Sequence, residues 1–158
     1  DGDLIKGAGN HSAVGVLVER STRLVLLCKM RDASADSALA AFTNKLRQIA
    51  QPMRQTLTYD QGKEMARHKE LAAATGMRVY FCDPHSPWQK GSCENTNGLL
   101  RQFMPKGTDL SVHDQDALDS MADLMNNRPR QTLGWDSPYQ AFQRFMSAIA
   151  EKTSATIH

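Results

Sequence analysis

The chain has 158 residues, enough for one domain with a continuous core and too few for two. Hydrophobic residues make up 41% and charged residues 23%, which excludes a disordered or low-complexity chain; 19 Lys+Arg against 17 Asp+Glu leave a net charge of +2, compatible with a nucleic-acid partner without requiring one. Cys28, Cys82 and Cys93 are an odd set with no CxxC spacing, so they support neither a disulfide framework nor a closed zinc site and fit a reducing compartment.

The first residues, DGDLIKG, lack the apolar stretch of a secretory signal and read as the start of a strand over 3–6. GNHS at 9–12 is a turn into AVGVLVE, an apolar run far too short to span a membrane. Ser21-Thr22 separates that run from RLVLLCKM at 23–30, and the pair predicts an antiparallel meander. Ala35, Ala38, Leu39, Phe42, Leu46 and Ile49 then recur at helical spacing, predicting a helix over 34–50 stopped by Pro52.

TLTYD at 56–60 is β-prone and ends on an acid; a second helix from about 64 to 75 closes at Gly76, and MRVYFCD at 77–83 is a further strand. HSP at 85–87 leads into a helix predicted from Trp88 to about Met104, before Pro105, with Gly91 and Gly98 interrupting it. Ser111 and Asp114 have capping-box spacing ahead of Ala117, Leu118, Met121, Ala122 and Met125. NNRPRQTLGW at 126–135 reads as a nonhelical connection, and Ser137-Pro138 as the start of a helix carrying Phe142, Phe145, Met146 and Ile149. Residues 1–150 are the expected core and 151–158 a frayed tail. Strands first, then alternation, then helices, predict an α/β fold with a mixed sheet and helices on both faces.

Three acids stand where such a fold can aim them at one point: Asp3 on the first strand, Asp60 at the end of TLTYD, and Glu94 on the helix after the last strand. Converging carboxylates repel one another and lose hydration, a cost that bound cations remove. Oxygen-only ligation favours magnesium or manganese over zinc, and a pair of ions about 4 Å apart suits phosphoryl transfer. The same residues equally fit a terminal surface acid, a turn acid and a solvated helix acid.

Lys90, Glu94, Gly98 and Arg101 repeat at helical intervals with Asn97 beside them, a polar strip that could face DNA phosphate, or a solvated face with a weak Lys90–Glu94 pair. His85 fits a proton or phosphate contact as well as a local cap, and Trp88 a base-stacking ring as well as a core anchor. Arg128 and Arg130 suit a phosphate backbone or a surface turn.

At DGD, TYDQGKE and PHSPWQKGSCENTNGLLRQ, and on through FMPKGTDLS (103–111) and NNRPRQTLGWDSP (126–138), the sequence resembles the catalytic core of bacterial DDE transposases of the insertion-sequence-thirty family, in the retroviral-integrase superfamily. The 33 residues between Asp60 and Glu94 match that family's spacing of second and third acids.

The resemblance implies Asp3, Asp60 and Glu94 as catalytic and metal-binding acids for two Mg2+ or Mn2+ ions. It implies a ribonuclease H-like mixed five-stranded sheet flanked by helices. DNA contacts are expected from His85, Lys90, Asn97, Arg101, Arg128 and Arg130. Gly62 and Glu64 match positions after the second acid, and Asp1 stands where the family commonly has Glu. The family's N-terminal helix-turn-helix is not seen, so the chain reads as the catalytic core alone.

The expected function is metal-dependent cleavage and strand transfer at insertion-sequence ends. Its partners are transposon-end DNA, target DNA and further copies of the chain, in the bacterial cytoplasm and without a membrane. The alternatives are a ribonuclease H-like nuclease, or an inactive DNA-binding or oligomerisation module.

Overall fold

The computed structural model describes residues 2–19, 22–48, 56–59, 67–81 and 91–157, with the backbone course alone for Asp3, 56–59, 79–81, 91–95, 149 and 153–157. The described strands are β1 (Gly2–Lys6), β2 (Ala13–Val18), β3 (Val25–Met30), β4 (Thr56–Tyr59) and β5 (Arg78–Phe81), in one sheet of order β3-β2-β1-β4-β5. The first three pair antiparallel, as the meander predicts, while β4 joins β1 and β5 joins β4 in parallel. The helices are α1 (Ala35–Arg47), α2 (His68–Thr75), α3 (Gly91–Leu100), α4 (Gln115–Asn126) and α5 (Pro138–Ile157).

Every residue of β2 is buried, because the strand alternates between two apolar layers. Val14, Val16 and Val18 join Ile5, Val25 and Leu27 beneath Leu100 and Met104 and the α4 residues Leu118, Ala122 and Met125. Ala13 and Leu17 join Cys28 and Met30 beneath Ala38, Phe42 and Leu46 of α1 and Leu71 of α2. Gly15 faces this second layer without a side chain; a Cβ there would lie 2.9 Å from Phe42 Cε1.

Helix ends follow local chemistry. Ser34 Oγ accepts from Ser37 N at the start of α1, and Gly76, with φ 72°, closes α2 in the left-handed conformation. At α5 the Ser137 hydroxyl accepts from Gln140 N at 3.2 Å while Gln140 Oε1 accepts from Ser137 N at 2.9 Å, a reciprocal box with Pro138 in the first helical position.

The structure corrects four local expectations. Asp114 itself caps α4, accepting from Ala117 N at 2.7 Å, whereas Ser111 sits in a 3₁₀ turn and donates to Asp109; the nearer side chain wins the orphan N–H. α3 ends at Leu100 and not near Met104, since Gln102 and Phe103 tighten to bonds with Leu99 and Leu100 before Pro105. Asn126 is the last residue of α4 and not part of a nonhelical connection, and Gln131–Leu133 form a 3₁₀ turn within that connection. Arg23 precedes β3 and does not belong to it. Apart from these four, α5 runs from Pro138 to Ile157.

The exposed backbone edge of β3 is covered by α4. Asn126 accepts from Val25 N at 2.8 Å and donates to Val25 O at 2.9 Å, while Gln115 accepts from Lys29 N and donates to Leu27 O. The two amides lie three helical turns apart and substitute for a sixth strand. Replacing Asn126 by Ala strands the buried Val25 N–H and C=O, and urea unfolding should register a loss of about 1–3 kcal/mol. Gln115→Ala, whose bond to Lys29 is exposed, should lose less.

Candidate active site

β1 occupies the middle of the sheet, with Asp3 registered opposite Val16 and Gly2 opposite Leu17 on β2. On its other side Gly2 is registered with Tyr59, in parallel. The residues immediately before Asp3 and immediately before Asp60 in the sequence are therefore direct neighbours on adjacent strands. Asp60 lies outside the described residues, as do His85 and Lys90, and the Asp3 and Glu94 side chains are likewise not described. Among the described residues no three His, Cys, Asp or Glu side chains gather into a metal-binding group.

α3, which carries Glu94, packs on β1 and β2. Thr96 and Leu100 are buried, Leu99 and Phe103 pack on the same core, and Gly98 is exposed with open space around it. The buried positions recur at three- and four-residue intervals, leaving Gly98 and Arg101 on the opposite side and Asn97 at the margin with its side-chain Oδ1 buried. Arg101 donates from Nη1 to Met104 O at 3.3 Å and from Nη2 to Lys6 O at 3.4 Å, tying the turn after α3 to the far end of β1. Asn97 is half-buried, and its carbonyl accepts from Arg101 N.

Arg128 is exposed and Arg130 half-buried. Burial first, then the positive charges of Arg128 and Arg23, lower the affinity of the Arg130 guanidinium for its proton. The sequence reading did not single out Arg23; its place beside the 128–130 segment follows from tertiary contact and has no local signal.

A concavity of about 360 Å³ lies between α1, β3 and α4 and is lined by Cys28, Lys45, Gln115 and Asp119 among others. Lys45 is paired with Asp119 at 2.9 Å, and burial pushes the Cys28 thiol up to about 12, Lys45 lowering it and Asp119 raising it. This thiol is a packing group and not a nucleophile.

Its raised value favours the folded state fully below about pH 9, and the contribution fades as pH climbs toward 12, because the unfolded thiol ionises first. The stability difference between the wild-type chain and Cys28→Ala should narrow by roughly 1 kcal/mol from pH 8 to pH 10 in urea titrations. A constant difference would show that the thiol titrates alike in both states.

A mixed sheet of this order with helices against it is the architecture of integrase catalytic cores: the chain superposes on the catalytic core domain of BIV integrase with a TM-score of 0.67 at 17% identity, covering 94% of this chain and 95% of that one. Residues 1–87 match the Integrase core domain family, and the chain belongs to it. It is 69% identical over 147 residues to the transposase for insertion sequence element IS1086 of Cupriavidus metallidurans, covering 93% of this chain and 43% of that protein. It is 44% identical over 144 residues to transposase InsI for IS30A of Escherichia coli, covering 91% of this chain and 37% of that protein. The chain thus spans less than half the length of these relatives. No helix among the described residues is long and apolar enough to cross a membrane.

Proposed function

We propose that the chain is the catalytic core of a DDE transposase with a ribonuclease H-like fold, acting in the bacterial cytoplasm on insertion-sequence ends and target DNA as a homo-oligomer. The observation that carries the reading is the parallel register of Gly2 with Tyr59, which makes neighbours of the residues preceding Asp3 and Asp60. The Arg101–Lys6 contact supports including Glu94 as the third acid. Glu94 lies seven residues back along α3 from Arg101, about 10 Å by helical rise, and Asp3 three residues back along β1 from Lys6, also about 10 Å. A helix running back along β1 from that contact would set Glu94 level with Asp3. The similarity to two insertion-sequence transposases supports the same assignment.

Asp3, Asp60 and Glu94 would hold two magnesium or manganese ions, and a set of carboxylate oxygens fits such hard cations. When bound, the ions supply activation of the attacking oxygen and stabilisation of the leaving oxygen. The chain's acids fix where that chemistry happens, and Asn97, Arg101, His85 and Lys90 position phosphate around it. In the first step water attacks a phosphodiester at an element end, leaving a 5′-phosphate on one fragment and a free 3′-hydroxyl on the other. In the second that hydroxyl attacks a target phosphodiester, joining the strands and releasing a target 3′-hydroxyl. No protein nucleophile is consumed.

Product chemistry tests the reading. With magnesium and labelled element-end DNA, the transposase containing this chain should yield a joined strand longer than either substrate. Hydrolysis alone, on hybrid or branched DNA, would assign a nuclease, and DNA binding with neither product would assign an inactive module.

A further inference from the structure

Three arginines from two distant parts of the chain meet where the β2–β3 hairpin turns. The Asn126 bonds to Val25 pin the end of α4 against the start of β3, and the charges of Arg128 and Arg23 both bear on Arg130. Arg23 occupies that turn with φ 61°, a left-handed conformation costly for a side-chain-bearing residue. The nearby carboxylates are engaged elsewhere: Glu19 Oε2 accepts from Thr22 N and Oγ1, each at 2.6 Å, and Asp136 pairs with Arg144.

Among the described residues no carboxylate pairs with Arg23, Arg128 or Arg130, and the Arg130 Nε is buried without a hydrogen-bond partner. Trp135, 67% exposed and at φ 71°, donates its backbone N–H to Arg130 O at 2.8 Å, so an aromatic residue stands at the margin of the cluster. Like charges drawn together, one partly desolvated, are relieved by an anion.

We propose that Arg23, Arg128 and Arg130 form a metal-independent binding site for the phosphodiester backbone of DNA, with Trp135 available to stack on an unpaired base. The site rests on the reading of the chain as DNA-acting and extends it. Val16 is registered with Asp3, and Glu19, where the hairpin turn begins, lies three residues further along, about 10 Å by strand rise. That is roughly three base-pair steps of a duplex at about 3.4 Å each, so one DNA arm reaches both the candidate acids and the arginines.

The test is binding of a labelled blunt duplex to the 158-residue chain in EDTA across a salt series. Arg23→Asn keeps a residue that tolerates the left-handed turn, and Arg128→Gln alters an exposed side chain, so both keep the fold. Each should weaken binding several-fold and lower the salt-dependence slope by about 1. Trp135→Asn should weaken binding to a duplex with a single-stranded overhang more than to a blunt one.

Wild-type affinity and slope in both arginine variants, or no duplex binding by the wild-type chain, overturns the site. If Arg23→Asn proves unfolded by circular dichroism, Arg128→Gln decides alone. Metal-free binding that is intact and arginine-dependent, alongside absent strand joining, would reject the catalytic reading and leave this site standing.

Discussion

Glu94→Gln is expected to abolish metal-dependent cleavage and strand transfer, by a thousandfold or more, about 4 kcal/mol of transition-state stabilisation. The change keeps the volume of the side chain and removes the charge, so the loss would belong to ion binding and not to packing. α3 owes its seat to other residues: Leu100 is fully buried with Leu99 and Phe103 against the valines of β2, and Arg101 fastens its end to Lys6. The melting temperature should accordingly stay within a degree or two of wild type, and duplex binding in EDTA should persist. Undiminished strand joining by Glu94→Gln would remove Glu94 from the proposed trio. Loss of joining together with loss of the folded circular dichroism spectrum would point to a structural role.

Phe42 should carry the largest stability loss outside that site. It is fully buried in the layer beneath α1, with its ring edge filling the space that Gly15 leaves on β2. Phe42→Ala should cost about 3–5 kcal/mol, a large part of the roughly 5–15 kcal/mol that holds a domain of this kind folded. Gly15→Ala should also destabilise, by about 1–3 kcal/mol, since the new methyl would meet Phe42 Cε1 at 2.9 Å and Cys28 Cβ at 3.3 Å.

The informative measurement is the double variant. A methyl at position 15 fills part of the void left by the ring, so urea unfolding of the four proteins should give a double loss at least 1 kcal/mol smaller than the sum, roughly the coupling of residues in contact. Strict additivity would mean that Gly15 is there for a reason other than the ring.

These two residues also mark what a sequence can and cannot convey. Phe42 is visible from helical periodicity, and the strand over 13–18 from its short Val- and Leu-rich apolar run, because each signal lies within a few residues. Ser137-Pro138 announces α5 for the same local reason. The pairing of Gly2 with Tyr59 spans a long sequence separation and has no local trace, so the adjacency behind the candidate acids comes from the fold.

The proposal of Asp3, Asp60 and Glu94 as a set comes from their motif and not from their surroundings. The polar side of α3 was legible because Gly98 and Arg101 keep helical step with Glu94. Arg23 was not, because its neighbours come from beyond α4. The capping of α4 was misread at Ser111, where two competing acceptors, Asp109 and Asp114, stand within three residues of the hydroxyl.

The covering of β3 by Asn126 and Gln115 has a consequence for how the chain is made. Val25 and Asn126 are 101 residues apart, so on a ribosome working at roughly 5–20 residues per second the hairpin emerges about 5–20 s before the helix that shields it. Through that interval the nascent hairpin exposes a row of unsatisfied N–H and C=O groups to any neighbouring chain. Slower translation between residues 30 and 126 is therefore expected to lower the yield of soluble product without any change in the final stability.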